Sequence, residues 1–174
     1  MTDAILAFVS THRDWAFALA FLCAFAETLV IFSAVVPASA ILLGAGALTA
    51  AGVLDLQPLF WGGFLGSVAG SLVSWAAGRF YGPALLSRQR VRKRLGNTRR
   101  VRLWLKRWGA PAVALGHGTG PLRSVSFALA GLARIPMWQF LPMTALGAAV
   151  WAWAIPTMGA LGGNVIDVVW RGLF

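Results

Sequence analysis

Five long apolar runs, residues 15–36, 38–54, 58–82, 110–132 and 136–161, leave this chain little freedom in what it can become. A helix that crosses a membrane needs about 20 predominantly apolar residues, and at least three of the runs reach that length. A soluble domain carries about a quarter charged residues. Here the charged share is 11%, against 59% hydrophobic. The expected class is an all-α polytopic membrane protein, read as a single domain over residues 1–174.

The acidic residues are Asp3, Asp14, Glu27, Asp55 and Asp167, and all but Glu27 lie at or near the ends of runs. Glu27 falls about halfway along the first. An ionisable group inside a membrane is costly enough to count as a functional-site candidate by default. Pro37 then ends or kinks that helix, because it lacks a backbone donor and disfavours helix at the preceding residue. The run that follows, 38–54, carries Gly44, Gly46 and Gly52 and is marginal for a full crossing. A re-entrant segment packed between neighbours is expected, with an ordinary short span as the alternative. Broken backbone at membrane depth is tolerated only where protein or a water-filled cavity covers it. The lone Cys23 excludes an intramolecular disulfide framework. Residues 1–14 lack a basic leader, look unlike a cleaved signal peptide, and suit a small interfacial helix.

In the run 58–82, Gly62, Gly66 and Gly70 recur every fourth residue. Such a ridge lets another helix approach closely, and Ser71 and Ser74 add hydroxyls beside it. Between Ser87 and Trp108 lie ten of the fifteen Lys and Arg, with no acid among them. The excess of positive charge places this segment on the cytoplasmic side. Val91, Leu95, Val101, Trp104, Leu105 and Trp108 share one helical face, so a basic amphipathic helix lying among anionic headgroups is expected. Each cation there is worth about 1 kcal/mol. Nucleic acid is not the expected partner, since the flanking runs already hold the segment against lipid.

The run 110–132 returns in broken form. Gly116, Gly118, Gly120 and Pro121 cluster around His117 and just ahead of Arg123. A continuous helix there would cost about 1 kcal/mol per Gly and about 3 for Pro, so an unwound re-entrant turn is expected. Arg123 cannot shed its charge and must face a cavity, an anion or Glu27. Two halves now look alike: Pro37 leads to Gly46 as Pro121 leads to Gly131, and Gly70 with Trp75 resembles Gly147 with Trp151. Broken segments in corresponding positions of an inverted repeat point to a transporter's site, with Pro37, Gly46, Gly70 and Gly131 as hinges. The run 136–161 is a strong span, and residues 164–174 are too few for another crossing, leaving a half-helix or interfacial tail.

In order, the blocks AETLVIFSAVVPASAILLGAGAL, GSVAGSLVSWAAGRFYG, GHGTGPLRSVSFALAGLARIPMWQF and LGAAVWAWAIPTMGALGG resemble the DedA (SNARE-associated, VTT-domain) membrane proteins over residues 25–163. The resemblance implies two re-entrant hairpins around a central cavity. It also implies movement of lipids across a membrane, either the undecaprenyl phosphate carrier or a phospholipid, driven in some members by proton-motive force. This chain departs from the family pattern at three places. Pro37-Ala38-Ser39 stands where Pro-Gly-Glu or Pro-Gly-Asp is usual, Gly70-Ser71 where an Asp closes the motif, and His117-Gly118 where Arg-Phe is usual. Glu27 and Arg123 are kept, while two acids and one Arg are missing. That bears on proton coupling more than on lipid handling.

A lipid phosphate entering the membrane needs a cation, and the guanidinium of Arg123 can grip phosphate bidentately. Backbone N–H groups around residues 116–120, including Gly120 ahead of Pro121, add donors, as can His117; Ser39 and Ser71 offer neutral hydroxyls. Glu27 has two roles open to it. Unpaired, it carries a proton; beside Arg123 it stays ionised and acts as a gate. The expected function is a lipid-phosphate transporter of the cytoplasmic membrane. A small-ion or small-solute secondary transporter and a noncatalytic scaffold are the alternatives. An enzyme is not expected, for want of an acid pair, a metal cluster beyond His12 and His117, or a nucleophile beside a base. No cofactor is called for, and assembly into a homo-oligomer is left open.

Overall fold

The computed structural model describes residues 15–29, 37–87, 109, 111–119 and 122–173. Residues 1–14, the basic segment 88–107, Gly120 and Pro121 lie outside these. Among the described residues all regular structure is helical. The elements are α1 (Ala16–Thr28), α2 (Ala38–Ala50), α3 (Leu56–Ser87), α4 (Pro111–Gly116), a 3₁₀ turn (His117–Thr119), α5 (Leu122–Leu132) and α6 (Met137–Leu173). Within α3 and α6, Leu56–Gly82 and Met137–Gly163 are each 27 residues and apolar enough to cross a membrane. The 13-residue α1 and α2 rise only about 20 Å each, against a hydrocarbon core of about 30 Å.

The distribution of side chains is that of a protein in lipid. Large apolar groups point outward: Leu22, Trp61, Val73, Leu146, Val150 and Trp153 are all exposed. Small and polar groups fill the inside, among them Ala24, Ala148, Ser67, Ser71, Ser74 and Thr144. In hydrocarbon there is no gain from hiding a leucine, so helix contacts are made by small residues and hydrogen bonds instead.

Glycines set those contacts. Gly62, Gly66 and Gly70 lie against the α1 backbone at Phe17, Phe21 and Phe25, and a Cβ at any of them would overlap it. The four-residue ridge is therefore the α1–α3 seam, closed by Ser74 Oγ donating to the Thr28 carbonyl at 2.7 Å. Farther along α3, Gly78 and Gly82 meet Ala128 and Leu132 of α5, while Gly131 of α5 meets the Trp75 carbonyl. On α6, Gly159 and Gly163 meet Leu43 and Ala47 of α2, and Gly46 of α2 meets the Pro156 carbonyl. Each short helix that follows a break thus packs on the long helix of the other half.

Three expectations change. Gly46, Gly70 and Gly131 sit inside continuous helices as close-contact points rather than at bends. A glycine against a neighbour's backbone recovers in packing what it costs in helix propensity. Second, residues 164–173 form no separate half-helix, since the α6 backbone runs unbroken to Leu173. Third, the first helix ends at Thr28, with Leu29 extended at its cap, and residues 30–36 of the apolar run lie outside the described residues. The turn after α2 places Gly52 at φ +72°. Its N–H bonds the Thr49 carbonyl and the Val53 N–H bonds that of Leu48, a Schellman closure that favours glycine. Arg134 closes α5 in the same way at φ 59°.

Candidate functional site

Glu27 arrives on the last turn of α1, and Arg123 is the second residue of α5. Their side chains meet inside the protein, with Nη2 of Arg123 2.9 Å from Oε2 of Glu27. Glu27 is 4% exposed and Arg123 fully enclosed. The approach is too oblique for a hydrogen bond, and among the described residues Nε and Nη1 of Arg123 also find no acceptor. The pair therefore neutralises charge without using the guanidinium's donors. Beneath it lies the Trp151 ring, whose centroid is 4.3 Å from Cζ; a desolvated cation–π contact of this kind is worth about 2 kcal/mol.

Glu27 is held more closely than Arg123. Its Oε1 accepts from the Ser39 hydroxyl at 3.3 Å, and the backbone N–H groups of Ala38 and Ser39 also bond the carboxylate. Those are first-turn amides of α2, left without partners inside the helix. A negative charge there is favoured by the helix macrodipole. Arg123 stands in the opposite situation: a cation in the first turn of α5, where the same field favours an anion.

His117 forms the 3₁₀ turn at the break in the second half. Its Nδ1 lies 3.3 Å from the Val113 carbonyl, its ring is 4.9 Å from that of Phe127, and it packs against Gly147. Nε2 is buried with no hydrogen-bond partner among the described residues. Ser71 is near this interior, but its hydroxyl is committed to the Ser67 carbonyl at 2.6 Å. Pro37 stands exposed at the start of α2, its carbonyl accepting from Ala40 and Ile41. Of the residues expected at the site, the structure brings Glu27, Arg123 and Ser39 into contact and sets His117 close by. It leaves Ser71 on its own helix, while Gly120 and Pro121 are outside the described residues. Two residues escape a reading of the sequence. Trp151 enters the sequence reading only through the repeat, and Thr144, whose buried Oγ1 has no partner among the described residues, passes for span filler. Their spacing of seven on one helical face is the available signal. No group of three His, Cys, Asp or Glu able to hold a metal occurs among the described residues.

A family model described as the VTT domain matches residues 36–161. The chain belongs to the VTT-domain (DedA) family. It is similar to inner membrane protein YabI of Escherichia coli K12, with 24% identity over 162 residues, 92% of this chain and 63% of YabI. It is equally similar to a Bacillus subtilis 168 protein described as uncharacterized membrane protein YbfM, with 24% identity over 132 residues, 75% of this chain and 82% of YbfM. The chain thus spans less than two thirds of YabI. No solved structure matches it. This VTT-domain protein is a membrane protein whose α2, α3, α4, α5 and most of α6 lie within the matched region.

Proposed function

We propose that this VTT-domain protein moves a phosphate-bearing lipid, a polyprenyl phosphate such as undecaprenyl phosphate or a phospholipid, across the cytoplasmic membrane, with its basic segment on the cytoplasmic side. The observation that carries this reading is Arg123: a fully buried guanidinium with Nε and Nη1 unused among the described residues, in the first turn of a helix. Adjacent guanidinium donors match two oxygens of one phosphate, and the helix N-terminus adds a favourable field. Such a group needs no metal and no nucleophile, so the site suits transport and not catalysis.

An inverted repeat with two re-entrant segments gives the site its place. The contacts Gly46–Pro156, Leu43–Gly159 and Ala47–Gly163 recur as Gly131–Trp75, Ala128–Gly78 and Leu132–Gly82. One constant displacement along the chain relates the short helices, and another relates the long ones. This register makes Gly66 the counterpart of Gly147, in place of the Gly70–Gly147 match suggested by the sequence. It also makes Ala38 and Ser39 the counterparts of Arg123 and Ser124. The Glu27 carboxylate, seated on the first turn of α2, then marks where an anion belongs on the first turn of α5. Substrate phosphate takes that second place, drawing Arg123 from Glu27 and loosening the link between α1 and α5.

The test is flux. Purified protein in vesicles should move a fluorescent lipid phosphate between leaflets faster than protein-free vesicles, and Arg123→Ala should return the rate to the protein-free value. Equal flux from wild type and variant would remove Arg123 from the mechanism.

A further inference from the structure

We infer that His117 selects headgroups presenting a phosphate O–H, and so favours a phosphate monoester over a diester; the inference rests on the transport reading above and names its substrate class. The Val113 carbonyl facing Nδ1 at 3.3 Å can only accept, so Nδ1 holds the proton. A neutral imidazole has one donor and one acceptor, and Nε2 is therefore the lone pair. That acceptor is buried, the residue being 3% exposed, and has no partner among the described residues. It asks for a donor, which a fully ionised phosphate oxygen cannot be.

Two helices place this acceptor beside the guanidinium. Phe127, against which the imidazole lies, is one turn from Arg123 on α5. Gly147, which meets Nδ1, is one turn from Trp151 on α6, and Trp151 underlies Arg123. His117 and Arg123 thus lie against neighbouring turns of the same two helices. Glu27 from α1 faces Arg123, and the hydroxyls of Ser67 on α3 and Thr144 on α6 are likewise buried without a partner among the described residues. A singly protonated monoester has three free oxygens: two match a two-nitrogen face of the Arg123 guanidinium, Nε with Nη2 or Nη1 with Nη2, as Glu27 gives way, and the third donates its hydrogen to Nε2. A diester has two free oxygens and no O–H, so it satisfies Arg123 and leaves His117 unpaired. Discrimination therefore falls to His117.

The experiment compares fluorescent phosphatidic acid with phosphatidylmethanol, which differ by one methyl on the phosphate, in vesicles at pH 6. There a monoester phosphate is about half singly protonated. Wild type should move phosphatidic acid at least about tenfold faster than phosphatidylmethanol, since a buried polar group left unpaired discriminates strongly against the analogue lacking its hydroxyl. His117→Asn, which keeps an N–H for the Val113 carbonyl and removes the acceptor, should move both at the slower rate. His117→Gln, whose amide oxygen can reach the Nε2 position, should keep part of the preference. Equal rates for both lipids in wild type, each above the protein-free rate, would overturn the role of His117 and leave transport standing. An undiminished preference in His117→Asn would also overturn it. Neither lipid moving above the protein-free rate would overturn transport itself and the inference with it. The wild-type comparison decides even where a variant fails to fold.

Discussion

Arg123→Gln lowers the stability of the folded protein by about 3–5 kcal/mol, because it strands a buried carboxylate. Glu27 is 4% exposed, and the guanidinium is the cation that faces it. The hydroxyl of Ser39 and the amides of α2 orient the carboxylate but bring no full charge. Glu27→Gln strands Arg123 in the same way, and more severely for its donors, since its three guanidinium nitrogens already lack a hydrogen-bond acceptor among the described residues. Combining the two changes recovers most of the loss, because two neutral amides can bond each other and neither charge remains to be buried. Denaturant titration of the four proteins in detergent gives the cycle directly, and, with each single change costing about 3–5 kcal/mol, the coupling should exceed about 3 kcal/mol, the top of the usual range for contacting residues. Additive losses would show that the 2.9 Å approach carries no energy.

Gly131→Leu and Gly46→Leu should each abolish the folded state or cost about 3 kcal/mol, the upper end of the usual overpacking range. What a side chain would meet is a backbone carbonyl, Trp75 in one case and Pro156 in the other. A carbonyl inside a helix cannot rotate aside as a flexible side chain can. The two substitutions should be similar in size because each glycine meets a backbone carbonyl of the long helix it packs on, α3 in one case and α6 in the other. Gly44 lies exposed on α2 two residues before Gly46, where an added Cβ would meet nothing within 4 Å. Gly44→Ala should therefore stabilise by about 1 kcal/mol through helix propensity alone. Thermal unfolding with size-exclusion profiles separates the three, and equal behaviour at positions 44 and 46 would contradict the seam.

Much of this architecture is legible because lipid simplifies the problem. Charge depletion and run length alone suffice for an all-helical membrane class. The cluster of Gly116, Gly118 and Pro121 locates the break, and an arginine with no means of discharge requires a partner that Glu27 can supply. What stays hidden depends on what lies opposite. A glycine is a hinge or a contact point according to whether a backbone presses on it, so Gly46, Gly70 and Gly131 read equally well both ways until their neighbours are known. Pro142 and Pro156 would ordinarily break a helix, yet both lie inside the continuous α6, where packing on α2 and α3 outweighs the lost backbone bonds. Trp151 is hidden for a related reason: an aromatic in mid-span reads as ordinary apolar filling, and only the facing helix makes it a platform for Arg123. The proposed pairing of Gly66 with Gly147 could be drawn only from contacts, because the residues around the two glycines differ.

The most direct measurement is lipid-phosphate flux through Glu27→Gln/Arg123→Gln, the variant expected to keep its fold while losing both charges. In vesicles matched for folded protein, wild type should move fluorescent phosphatidic acid above the protein-free rate and the double variant should not. Flux through the double variant equal to that of wild type would show that the buried pair only ties helices together, and that the phosphate passes elsewhere.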